Sequence, residues 1–149
     1  CLPAAANLVA AATEEASGAT VELDARERAA LSEALGVGTK GARPRHAAAA
    51  LKELEEQQRA RAKRIQRDAL DRVLTEFTSF YRDVLTVQTG AGAPPINAEA
   101  QSDIATMAAR TTPEATIGRI DALLECRTAL ETNVAPLLAL EALMIGLRV

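Results

Sequence analysis

Aromatic residues are nearly missing from this 149-residue chain: two phenylalanines, one tyrosine and no tryptophan. The side chains that usually fill strands are therefore scarce, and a mainly β fold is excluded. Cysteine is equally sparse, with only Cys1 and Cys126. Two cysteines make no disulfide framework, and such usage predicts a reducing, cytoplasmic setting. Cys126 reads as a small buried apolar residue on a helical pattern. No stretch approaches the roughly 18 uninterrupted apolar residues of a membrane helix. The opening Cys1-Leu2-Pro3-Ala4 lacks a starting Met and a basic segment, so a signal peptide is not expected. It reads as the interior of a longer protein.

Histidine occurs once, at His46. A zinc site needs several His or Cys ligands at set spacing, and a nucleophile–base pair needs a base. No catalytic, metal or cofactor-binding residues are therefore assigned. The glycine-rich run Gly36-Val37-Gly38-Thr39-Lys40-Gly41 fails as a phosphate loop. Thr precedes Lys, a helix rather than a strand leads in, and Pro44 follows.

What the chain does contain is 33 alanines and 18 leucines. Both are strong helix formers, and the apolar positions are periodic. The expected fold is all-α: a single helical domain over residues 1–149, a bundle of five to six helices around one long central helix. Pro3 to Ala16 reads as a lead-in helix stopped at Ser17-Gly18, leaving the bundle proper over 19–149. Asp24, with Glu27 three residues on, predicts a capped second helix ending at Gly36. Arg45 to Thr89 contains no Gly or Pro and reads as one helix. Its first half carries a narrow apolar stripe and its second half a wide one, from Leu70 to Leu85. After a Gly90–Pro95 loop, Asn97 is expected to cap a short helix bearing Ile104 and Met107. Thr112-Pro113-Glu114 opens a fifth helix. Asn133 is expected to break that helix and cap a sixth, rich in leucine.

Charge is unevenly placed although the net is only -3. Between Lys40 and Arg72 lie ten basic and five acidic residues. Arg59, Lys63 and Arg67 fall on one helical face, and with Arg64 they are candidate phosphate contacts. The competing reading is a solvated helix tied by the i, i+4 pairs Glu55–Arg59, Arg64–Asp68, Arg67–Asp71 and Asp68–Arg72. An acidic protein partner is a third. No aromatic is interleaved for base stacking. In the last helix, Glu141 falls inside the wheel arc of Leu137, Leu140, Leu143, Met144 and Leu147. A buried carboxylate there requires an arginine, with Arg82 or Arg67 as expected donors, or an arginine of a neighbouring subunit. Otherwise Glu141 sits at a fold edge and reaches water.

The run Gln58-Arg59-Ala60-Arg61-Ala62-Lys63-Arg64-Ile65-Gln66-Arg67-Asp68-Ala69-Leu70-Asp71-Arg72, followed by Phe80-Tyr81-Arg82-Asp83-Val84-Leu85, resembles the C-terminal part of bacterial DNA polymerase III delta-prime subunits, the actinobacterial form above all. Asn133-Val134-Ala135-Pro136-Leu137-Leu138-Ala139-Leu140-Glu141-Ala142-Leu143-Met144 resembles the closing helix of clamp-loader subunits. The resemblance extends from about Thr20 to the end. It implies a collar domain that holds clamp-loader subunits together while an ATPase region elsewhere in the chain does the chemistry. It also implies gamma/tau and delta subunits as partners, with direct nucleic-acid contact less favoured and no membrane role. Arg67, Tyr81, Arg82, Asn133, Leu137, Leu140, Glu141 and Met144 are the candidate interface or structural-pairing residues. The alternatives are the collar of the gamma/tau ATPase subunit and an unrelated helical nucleic-acid-binding domain using residues 59–72.

Overall fold

The computed structural model describes residues 2–36, 45–132 and 134–148. The glycine-rich stretch at residues 37–44, expected as a loop, and the expected cap Asn133 lie outside the described residues. Every regular element among those described is helical: α1 Leu2–Ala34, α2 Arg45–Thr89, a single 3-10 turn Ala98–Ala100, α3 Gln101–Arg110, α4 Pro113–Glu131 and α5 Pro136–Gly146. The all-α class is as expected and α2 has the expected ends, but α1, at 33 residues, is a second long helix where two shorter ones were expected.

Two compact units divide the chain, one of residues 1–9 with 70–149 and one of residues 10–69. The smaller unit is a two-helix hairpin. Its α1 side presents Ala12, Ala16 and Thr20 as buried positions, spaced four apart, and its α2 side presents Ala47, Gln58 and Ala69. Small side chains at i, i+4 spacing let two helices approach closely. That seam explains why α1 does not stop at Ser17-Gly18. A mid-helix glycine costs about 1 kcal/mol relative to alanine, and the seam on either side of it offsets that cost. Asp24 is likewise interior to α1 rather than a cap. Its carboxylate accepts from Arg61 at 2.9 Å, and its backbone carbonyl accepts from Gln58 at 3.0 Å.

The larger unit has a conventional leucine core. Leu70, Leu74 and Val84 of α2 are buried with Ile104 of α3, Leu123 and Leu130 of α4, and Leu140 and Leu143 of α5. α2 ends where Gly90 takes φ +64°, and the amide of Ala91 reaches back to the Thr86 carbonyl at 3.1 Å. This is a glycine-terminated helix end, in which orphan carbonyls find donors beyond the last turn. Thr112 caps α4 as expected, accepting from the Ala115 amide, with Pro113 at the first helical position. One expected cap differs. The Asn97 side chain makes no cap bond, because it is drawn to Asp83 and Ser79 instead. α5 has Ala135 at its N-cap position and Pro136, with its preset φ, in its first turn.

Candidate functional site

α5 has the sequence PLLALEALMIG, with one charged residue in eleven. Its inner side is Ala139, Leu140 and Leu143, each at most 4% exposed. Its outer side is apolar too: Leu137, Leu138 and Ile145 are 39, 60 and 64% exposed. Val134 before the helix, and Ile117 and Leu124 on α4, are also exposed. α5 packs on α4 closely enough that a Cβ on Gly146 would stand 2.9 Å from the Cβ of Ala122. Arg119 of α4 donates through Nε to the Leu147 carbonyl at 3.2 Å, closing the end of α5.

Glu141 lies on this outer side and is only half-buried. The wheel arc expected to bury it is split in the structure: Leu140 and Leu143 face in, while Leu137 faces out. The expected internal arginine pair does not form. Among the described residues Glu141 makes no ion pair, and Arg82 is engaged elsewhere. Glu141 stands half-buried among exposed apolar side chains. Leu140 proves to be core, and Met144 is half-buried. Tyr81 is also core, 8% exposed, with its ring edge-on to Phe80 at 5.5 Å between centroids.

Arg82 has a structural role. It donates to Asp83 at 2.7 Å and to the Pro94 carbonyl at 2.8 Å. Among the described residues Asp83 is the one acidic side chain in the buried set, 2% exposed. It accepts from the amides of Ile96 and Asn97 at 2.9 and 2.8 Å and from the Asn97 side chain at 2.9 Å. Burial alone would push its carboxyl up. The Asn97 amide, the Asn97 side chain, Arg82 and the Ile96 amide together outweigh burial and hold it down at about 2. This knot pins the loop between α2 and α3. Sequence reasoning did not single out Asp83 as buried. Its partners are two backbone amides, and no residue pattern announces those.

The ion-pair ladder expected along α2 is mostly absent. Glu55 and Arg59 approach to 3.9 Å. Asp71 is instead held by Arg127 of α4, at 2.7 and 3.2 Å. Lys63, Arg64 and Arg67 are exposed and make no ion pair among the described residues. Arg61 is the exception on this segment: it bridges Asp24 and Glu27 across the hairpin at 2.9 and 2.8 Å. The Arg61 guanidinium, followed by Gln58, lowers the Glu27 carboxyl below its ordinary value.

His46 is exposed in the first turn of α2. Cys126 is a free buried thiol, pushed up to about 11 by burial. Among the described residues no group of His, Cys, Asp and Glu is placed to hold a metal ion, and no helix is long and apolar enough to cross a membrane. A family model described as DNA polymerase III, delta subunit, C terminal matches residues 27–148. No curated protein and no solved structure matches the chain.

Proposed function

The chain belongs to the family formed by the C-terminal region of DNA polymerase III delta subunits, and from that premise we propose that it is the collar of a clamp-loader subunit, holding neighbouring subunits together. The observation that carries this reading is α5. A helix that is apolar all round is stable only when covered on both sides. Here α4 and the core cover one side, while Leu137, Leu138 and Ile145 stand open on the other. Exposed apolar residues grouped on one short helix mark an association surface. The partners in this reading are the gamma/tau and delta-type subunits of the same complex, in the cytoplasm. The chain itself contributes no catalytic group. Membership in the delta family supports a delta-type subunit over gamma/tau. Within delta types, the run from Phe80 to Asp83 favours delta-prime.

The test is assembly. Leu138→Glu with Ile145→Glu, introduced into the full-length subunit, is expected to abolish co-elution with the partner subunits. Helix content and melting temperature should stay unchanged, because both side chains already face solvent. Intact co-elution of the double variant would overturn the reading.

A further inference from the structure

The outer face of α2 in the hairpin unit carries a row of cations, of which, among the described residues, only Arg59 has a carboxylate within 4 Å. Arg59 has a side chain 75% exposed, and its nearest carboxylate, Glu55, is 3.9 Å away. That carboxylate is shared: its other oxygen makes the closer contact, with Arg28 at 2.9 Å. Lys63, Arg64 and Arg67 are exposed and unpaired among the described residues. Two carboxylates stood at the right spacing to quench them. Asp71 is taken by Arg127, and Asp68 does not pair with Arg64. Arg61, turned toward the hairpin seam, is consumed by Asp24 and Glu27. The fold thus spends one cation of this segment on the seam and leaves four directed outward.

We propose that Arg59, Lys63, Arg64 and Arg67 form a phosphate-contacting rail for the backbone of duplex DNA. Residues four apart on a helix rise by roughly 6 Å, so Arg59, Lys63 and Arg67 make an evenly stepped row inclined to the helix axis. An evenly repeated row of donors is complementary to a polymer of regularly spaced anions rather than to one acidic side chain. Guanidinium groups also take phosphate oxygens in pairs. The row contains no aromatic residue and therefore reads no base. Contact through phosphates alone positions a protein on DNA without selecting a sequence. This inference does not use α5, so it stands or falls separately from the collar reading.

The experiment is a fluorescence-anisotropy titration of labelled duplex DNA of arbitrary sequence with the full-length subunit, repeated from about 50 to about 200 mM salt. Four phosphate contacts predict a slope of log K against log salt of about -3 to -4. Arg59→Glu, Lys63→Glu and Arg67→Glu together should weaken binding on the order of 100-fold or more at the low-salt end, and Arg67→Gln alone should flatten the slope by about one. Arg59→Lys with Arg67→Lys should retain binding within a few-fold. Arg110→Glu, on α3, should leave it unchanged. Helix content is read in parallel, and if the triple reversal unfolds, Arg67→Gln carries the test. Wild-type protein that fails to bind at about 50 mM salt would overturn the proposal. So would a reversal variant that binds as tightly as wild type. Loss of a partner subunit with DNA binding intact would also overturn it, and would assign the rail to an acidic protein.

Discussion

Asp83 shows how much one residue can hold. Two backbone amides, one side-chain amide and a guanidinium converge on its carboxylate. Its ordinary value is 3.8 and its folded value about 2. A folded-state value below the unfolded one means the ionised form is preferred in the fold. The stabilisation is complete above about pH 4, and is lost as pH falls from there through 2. The difference corresponds to about 2 kcal/mol. Asp83→Asn should therefore lower stability near neutral pH by about that amount, and the acid limb of the stability curve should flatten between pH 4 and 2. Urea unfolding at a series of pH values checks both. A variant with the wild-type acid limb would show that another carboxylate sets it.

At the scale of elements, the hairpin between α1 and α2 is held by a polar clasp set in an alanine seam. Gln58 donates to Asp24 and Glu27, and Arg61 donates to the same two residues. Removing one partner from such a network costs more than replacing the set. Arg61→Leu should lower the midpoint of thermal unfolding, because Asp24 and Glu27 are left facing each other. Asp24→Leu, Glu27→Leu and Arg61→Leu combined should recover most of the loss. Circular dichroism melts decide between this and a purely additive outcome. The clasp also explains where sequence reading went astray. Asp24 followed by Glu27 is a capping signature, yet both carboxylates answer an arginine more than 30 residues away in the chain. Elements bounded by backbone rules were legible: the uninterrupted run from Arg45 to Thr89, the Thr112-Pro113 start, and the glycine end at Gly90. Ends that depend on a distant side chain were not, because local propensity is silent about long-range partners.

On the scale of the whole molecule, the two units bury different materials. One is sealed by leucines, and its Leu74, Leu123, Val84 and Leu140 are at most 1% exposed. The other is sealed by alanine, threonine, glutamine and an ion cluster, which removes far less apolar area from water. Local opening follows such differences. Backbone amides of residues 12–34 and 47–66 should exchange with solvent faster than those of 116–130 in native-state hydrogen exchange read by mass spectrometry. Uniform protection would contradict this ranking. Composition was enough to establish the fold class. It did not show the division, because alanine counts as apolar in a tally while burying little surface in a seam. For the candidate site, the leucine-rich last helix was visible in the sequence. Which leucines face outward was misread: Glu141, the one charged residue of the helix, marks the outer side, but its apolar neighbours on the wheel suggested burial instead.

The two-sided apolar character of α5 also bears on how many copies a cell can tolerate. If the collar reading holds, a copy made in excess of its partners has nothing to lay over Leu138 and Ile145. Its open leucines then resemble those of an unfinished protein, which chaperones and proteases recognise. Surplus molecules would turn over quickly while assembled ones persist. The same few side chains would thereby help keep subunit numbers matched.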